Sequence, residues 1–291
     1  MTPFPEPFAS AVVLLVGLVL GSFLNVCIYR MPLGRSIVWP GSSCPACGDP
    51  ILWHRNVPVL SWILLRGRCA ACRAPISWRY PFVEALTGLL LLGLWRLFGP
   101  DVSFAIAGPF ALAMIVLFFT DLDHQLLPDK ITLGGLAAGL AVAWFNPFLD
   151  GLGTGADLEW LYPFPMGPGW SRVWGAVGGA ALGAGLLWGF GALYGALRKV
   201  EAMGMGDVKM MAMVGAFTGP WGVALTIFGG SLVGALVGLA LIPLRGRTLR
   251  DALPFGCFLA PAALAVLLAG RRMAEFYLGL VIPLPGSGLG L

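Results

Sequence analysis

The sequence predicts an all-α polytopic membrane protein of about eight transmembrane helices with a small cytoplasmic zinc-binding loop domain. Three observations carry that reading. The first is composition: of 291 residues, 58% are hydrophobic and only 11% are charged, with a mean hydropathy of +0.86, whereas a soluble domain carries roughly 25% charged residues. So few charges cannot cover a water-facing surface, and most of the outside faces lipid. The second is a series of long uncharged intervals, and the third is a cluster of four cysteines between the first two of them. The net charge of +4 is small; it fits the basic bias of cytoplasmic loops and argues against a nucleic-acid-binding stripe.

A spanning helix needs about 20 mostly apolar residues. Residues 7–29, 102–120, 131–149, 173–197 and 252–270 supply uncharged intervals of that order. Residues 82–98 span if Glu84 and Arg96 sit near the interfaces and snorkel. Residues 210–244 are too long for one helix, and Thr218-Gly219-Pro220 divides them into two. The first interval has no basic segment before it and no small-residue cleavage pattern leading into a soluble domain, so it is a retained anchor rather than a secretory signal. The organisation expected is residues 1–29 as the first helix, 30–81 as a cytoplasmic loop domain and 82–291 as a multi-helix membrane domain, with the tail after Arg272 unassigned. No internal repeat is evident, and the 42 glycines suit close helix packing in lipid.

Residues 30–81 hold Arg30, Arg35, Arg55, Arg66, Arg68, Arg73 and Arg79 against the single acid Asp49, which puts this loop in the cytoplasm. Counting spans alternately places the segments 121–130, 198–209 and 245–251 on the same side. The opposite loop, residues 150–171, carries Asp150, Asp157 and Glu159 with Trp160, Tyr162 and Trp170, as an outer interfacial segment with an aromatic belt would.

Within the basic loop, Cys44-Pro-Ala-Cys47 and Cys69-Ala-Ala-Cys72 form two C-x2-C knuckles. Each places two thiolates on one side of a tight turn, and together they complete a tetrahedral thiolate site that suits zinc. A cytoplasmic location disfavours the other reading, a pair of disulfides. Four cysteines fill the coordination sphere and leave no open position for water, so the metal is structural: the main staple of a loop with little core. Cys27 and Cys257 lie in apolar runs and read as small buried hydrophobes.

Chemistry is sought where an apolar chain tolerates ionisable groups. Two clusters qualify: Asp121-Leu-Asp123-His124-Gln-Leu-Leu-Pro128-Asp129, closing the third span, and Glu201-Ala-Met-Gly204-Met-Gly206-Asp207-Val-Lys209, entering the sixth. If one carboxylate from each met at the same depth, they would share a proton and divide into a base and an acid able to activate water against a peptide carbonyl. Gly204 and Gly206 would leave the backbone beside Asp207 open to a substrate strand, and Pro128 would stop the helix beyond the Asp121 turn. Asp123, Asp129 and His124 read as solvated loop residues. Lys209 is either a solvated charge or a neighbour of the Asp207 carboxylate. No nucleophile elbow, phosphate loop or HExxH helix competes.

The chain resembles the bacterial type IV prepilin peptidases, leader peptidases of type IV pili and type II secretion and aspartic proteases of the GxGD intramembrane class. The resemblance is carried by Gly21-Ser-Phe-Leu-Asn-Val-Cys-Ile-Tyr-Arg30, the two knuckles, Asn56-Val-Pro-Val-Leu-Ser-Trp, Ile76-Ser-Trp-Arg-Tyr-Pro-Phe-Val-Glu84, residues 121–129, Gly204-Met-Gly-Asp207-Val-Lys209 and Pro254-Phe-Gly256. The family's first catalytic Asp precedes a Pro by seven positions, which selects Asp121 with Pro128; its second is the Asp of GxGD, here Asp207. The resemblance implies an inner-membrane enzyme that removes the short basic leader of prepilins and pseudopilins after a Gly, at the cytoplasmic face. Members with the four-Cys loop also methylate the new N-terminus from S-adenosylmethionine, although no glycine-rich fingerprint for that donor occurs here. The alternatives are a proton- or metal-coupled transporter, which would place its acids near the bilayer midplane, and a non-catalytic scaffold of a secretion machine.

Overall fold

A computed structural model of the chain describes residues 6–150, 167–198, 204–245 and 254–281. Asp157, Glu159, Trp160 and Tyr162 of the expected outer loop, Glu201, most of the 245–251 loop and the end of the C-terminal tail lie outside the described residues. Those described form α1 (Glu6–Arg30), α2 (Leu60–Leu64), α3 (Arg79–Phe98), α4 (Val102–His124), α5 (Asp129–Val142), α6 (Pro168–Arg198), α7 (Met205–Arg245) and α8 (Gly256–Val281). Among them there is no strand, only the isolated bridges Ser43–Pro50 and Arg68–Pro75. Contacts divide the chain into two units, the first ending at Pro128 and the second beginning at Asp129.

In the first unit α1 packs along α3 and α4. Small residues let the first pair approach backbone to backbone, because lipid offers no hydrophobic drive between helices and close contact must supply it. A Cβ on Gly17 would lie 2.7 Å from the Cα of Gly88, and one on Gly21 would lie 2.6 Å from the Cα of Glu84. Asn25 of α1 donates to the Tyr80 carbonyl at 3.1 Å. Glu84, near the start of α3, is 8% exposed. Its carboxylate accepts the Val59 N–H at 2.7 Å, which fixes the loop between the knuckles to α3. The start of α4 is capped by Asp101, which accepts the Ser103 N–H at 2.9 Å and the Ser103 hydroxyl at 2.6 Å. Those bonds, the hydroxyl's first, hold the Asp101 carboxyl below its ordinary value. At its far end α4 stops because Gln125 turns left-handed (φ 49°, ψ 40°) and returns its N–H to the Asp121 carbonyl at 2.9 Å, as a helix C-cap does.

In the second unit α7 packs against α5, α6 and α8. Gly179 and Gly183 of α6 face the backbone of α7 at Gly215 and Met211, with no room for a Cβ on either. The backbone of α7 leaves helical geometry at Gly219 (φ 72°, ψ −177°), in the Thr218-Gly219-Pro220 segment where the sequence places a division. Helix α5 is shorter than the anticipated span over 131–149. Residues Ala143–Phe145 and Pro147–Leu149 tighten into 3₁₀ turns around Asn146, a fully buried side chain. Its amide donates to the Phe217 carbonyl at 3.0 Å and its oxygen accepts the Phe148 N–H at 3.0 Å. Helix α8 continues past Arg272 to Val281, so part of the unassigned tail is helical.

Five described helices are long and apolar enough to cross a membrane: α1, α3, α4, α6 and Met205–Leu241 of α7. Eight spans were anticipated. The difference lies in the 14 residues of α5, in the single run of α7 across its break, and in α8, whose apolar part is the shorter Gly256–Gly270.

Candidate active site and metal centre

The two cysteine knuckles are the same structure built twice. In the first, the N–H of Cys44 donates to the Asp49 carbonyl (2.9 Å), that of Gly48 to Cys44 (2.8 Å) and that of Ile51 to Ser42 (2.9 Å). In the second, Cys69 donates to Ala74 (2.8 Å), Arg73 to Cys69 (3.1 Å) and Ile76 to Gly67 (2.7 Å). The residue after each second cysteine takes positive φ, Gly48 at 76° and Arg73 at 62°, which closes each turn. This corrects the expectation of no internal repeat: C-x-A-C-x-x-P-I occurs at Cys44–Ile51 and again at Cys69–Ile76. The repeat is eight residues long, far shorter than a domain-sized period.

The four sulfurs converge. One ligand atom each from Cys44, Cys47, Cys69 and Cys72 lies within 4.8 Å of the others, and Cys44 Sγ to Cys72 Sγ is 3.9 Å. Tetrahedral zinc with bonds of about 2.3 Å sets its sulfurs roughly 3.8 Å apart, so the residues fit that ion. Backbone N–H groups of Cys72 and Ala71 point at Cys69 and lower its thiol to about 7. The Asp49 N–H acts in the same direction on Cys47, but hydrogen bonding with Cys72, desolvation and the thiols of Cys44 and Cys69 outweigh it and push Cys47 up to about 12. Cys27 and Cys257 are buried, as their apolar runs suggest.

Asp121 sits near the end of α4 and is 5% exposed, beside the fully buried Thr120. A carboxylate in that setting is not the solvated loop residue that an acid at a helix end usually is. Its neighbours in sequence behave differently. Asp123 receives the Arg79 guanidinium, whose Nη1 lies 2.7 and 2.6 Å from the two carboxylate oxygens. Arg79 also lies 4.6 Å from the centroid of the Phe119 ring, so α3 holds the end of α4 on both sides of Asp121. His124 is exposed, and Pro128 is buried immediately before α5. Helix α4 ends at His124, four residues before Pro128, the point at which a proline bars further helix.

Asp207 lies in the first turn of α7 and is partly buried. Its N–H donates to the Gly204 carbonyl at 3.1 Å, so the Gly-Met-Gly segment folds directly under it. A negative group in the first turn is favoured by the helix dipole. Lys209 gives its ammonium to both oxygens of Asp129 at 2.8 Å, tying the start of α5 to the start of α7. Asp121 belongs to the first unit and Asp207 to the second. In the sequence Arg79 is one of several basic loop residues; its partner is 44 residues away, a pairing for which the sequence holds no signal.

Residues 15–98 match the bacterial peptidase A24 N-terminal domain, and residues 109–239 match the type IV leader peptidase family. A prepilin leader peptidase/N-methyltransferase of Aeromonas hydrophila is 35% identical over 92% of this chain and 93% of its own length. One of Pseudomonas putida is 36% identical over 89% of this chain and 90% of its own. One of Myxococcus xanthus is 39% identical over 83% of this chain, which spans 65% of that longer relative. No solved structure matches the chain. Likeness of this extent, across both matched regions and nearly end to end, leaves one conclusion: the chain belongs to the type IV leader peptidase family.

Proposed function

We propose that this protein is a membrane leader peptidase that cuts the short basic leader from type IV prepilins and pseudopilins after a Gly at the cytoplasmic face of the inner membrane. In this reading Asp121 and Asp207 are its two catalytic carboxylates. The observation that carries it is the burial of Asp121 at 5% exposure in a chain of this family. The Gly204-Met-Gly206-Asp207 turn at the start of α7 and the seven-residue spacing from Asp121 to Pro128 support it, and the arginines of residues 30–81 support the cytoplasmic side.

The chemistry is that of a carboxylate pair holding one proton. The ionised member takes a proton from water as the hydroxide oxygen bonds to the scissile carbonyl carbon. The protonated member gives its proton to the carbonyl oxygen, forming a neutral tetrahedral adduct. Collapse of that adduct breaks the C–N bond: the leaving amine takes a proton from the first carboxyl while one hydroxyl of the adduct gives its proton to the second carboxylate, which leaves a carboxylic acid and a free amine and restores the one-proton pair. Gly204 and Gly206 leave the backbone beside Asp207 uncovered by side chains, so an extended substrate strand can approach. Pro128 and the Lys209–Asp129 pair fix the segments that follow Asp121 and carry Asp207.

Zinc held by Cys44, Cys47, Cys69 and Cys72 is structural, since four thiolates fill its coordination. The second proposed activity is N-methylation of the amine released by cleavage, with S-adenosylmethionine supplying the methyl group. Among the described residues no strand leads through a glycine-rich turn into a helix, the usual cradle of such a nucleoside, and no donor-binding residue is assigned. Incubating the purified protein with a prepilin-like peptide and the methyl donor, then sequencing the product by mass spectrometry, tests both activities. The expected product begins at the residue after the Gly and carries one added methyl group; an uncut peptide would overturn the reading.

A further inference from the structure

The loop between α1 and α3 carries an unusual surface. Five of its arginines, Arg35, Arg55, Arg66, Arg68 and Arg73, are exposed, and Asp49 is its single acid. The same loop also exposes large apolar side chains: Trp39 at 78%, Trp53 at 84%, Ile63 at 57% and Leu64 at 71%, with Val38 and Leu60 also uncovered. Leu60, Ile63 and Leu64 stand at i, i+3 and i+4 of α2, so they share one side of it. A loop that projected into water would not leave these groups bare, because exposed apolar clusters mark contact surfaces.

We propose that this loop lies on the bilayer, with Trp39, Trp53 and the Leu60–Ile63–Leu64 side of α2 in the headgroup region and the exposed arginines on anionic phospholipid headgroups. Charge decides between occupants. The basic leader of a prepilin is repelled by a surface of five exposed arginines and one acid, as is a second copy of the same surface, whereas an anionic headgroup layer is attracted. Tryptophan and arginine together suit that layer, aromatic rings resting at the headgroup level and guanidinium groups on phosphate. The reach is short, since both ends of the loop are helices of membrane-spanning length. The zinc centre then holds a surface-lying plate at a set height rather than a free domain, and the inference stands independently of the catalytic aspartates.

The test is hydrogen–deuterium exchange of the full-length protein in nanodiscs of phosphatidylglycerol or of phosphatidylcholine, read at the backbone of residues 50–66. Arginines near an anionic surface contribute roughly fivefold each, so three give on the order of a hundredfold slower exchange in phosphatidylglycerol. The triple variant Arg35→Gln, Arg55→Gln, Arg66→Gln should lose that difference while keeping its zinc. Equal exchange of the wild type in both lipids would overturn the proposal without need of any variant. So would protection that arises only when a leader peptide is added, which would make the surface a substrate site, or protection that follows the number of copies per disc.

Discussion

Val59 joins the two knuckle-bearing halves of the loop in a conformation that a β-branched residue rarely adopts. Its backbone lies at φ 61°, ψ −50°, and the Leu60 N–H reaches back to the Pro58 carbonyl at 2.6 Å, which makes a γ-turn of the rarer, positive-φ kind. The cost is roughly 1–3 kcal/mol. What holds it is the 2.7 Å bond from its own N–H to the Glu84 carboxyl oxygen, a buried bond whose loss costs about 1–3 kcal/mol. Replacing Glu84 by Leu removes that bond and lets part of the strain relax, so the net loss is about 1–2 kcal/mol, or roughly 5- to 30-fold faster local opening. Replacing Val59 by Gly acts in the other direction. It relieves about 2 kcal/mol of strain against about 1 kcal/mol of added chain freedom, and slows opening about fivefold. The two changes are coupled: in the Val59→Gly background no strain remains to be released, so Glu84→Leu costs more there than in the wild type. Hydrogen exchange at residues 56–65 of the four proteins reads all three quantities. Faster exchange in Val59→Gly, or no change in Glu84→Leu, would refute the reasoning.

Other outcomes follow from the same geometry. Metal analysis of the purified protein should give about one zinc per chain, and Cys44→Ser or Cys69→Ser should lower it sharply; zinc retained in both would refute the thiolate site. Metal affinity should weaken as pH falls, because thiolates must be free of protons to bind, which a competition titration against a chelator would read. A double-mutant cycle on Arg79→Gln and Asp123→Asn should give a coupling of about 1 kcal/mol in thermal unfolding, as for a partly exposed, charge-assisted pair joined through one guanidinium nitrogen, and zero coupling would remove the clamp beside Asp121. Leu at Gly17 should destabilise the α1–α3 pair by about 1–3 kcal/mol, since its Cβ meets backbone rather than a movable side chain; an unchanged melting temperature would contradict that packing. The Asp101 cap should be stabilising above the ordinary carboxyl range and lose its contribution as pH falls through the depressed value of that group. Asp101→Asn should flatten that acid limb of stability.

What the sequence made legible follows physical range. Runs of apolar residues and a Thr-Gly-Pro break are local signals, so the spans at α1, α4 and α6 and the interruption at Gly219 could be read directly. The convergence of four cysteines was legible because C-x2-C spacing dictates turn geometry by itself. Long-range partners were not. Arg79 with Asp123, Asn146 with the Phe217 carbonyl and Glu84 with Val59 each join residues far apart in the chain. Asp123 is exposed but carries an arginine clamp, the span over 131–149 is cut short around Asn146, and Glu84 is buried against the loop. The burial that separates Asp121 from its neighbour Asp123 likewise comes from packing against other helices, which two aspartates two positions apart do not announce.

The central claim is the aspartate pair, and its most direct test is leader cleavage of a prepilin-like substrate by purified wild type, Asp121→Asn and Asp207→Asn. Each substitution removes the carboxylate as a proton carrier while keeping its size and hydrogen-bonding shape. Both variants should bind about one zinc, keep the wild-type melting temperature to within a few degrees, and lose cleavage by at least roughly 10²–10⁴-fold. Methylation of a pre-cut substrate by the same variants, read separately, would show that the loss lies in the peptidase step and not in folding. Cleavage at the wild-type rate by either variant would contradict the account.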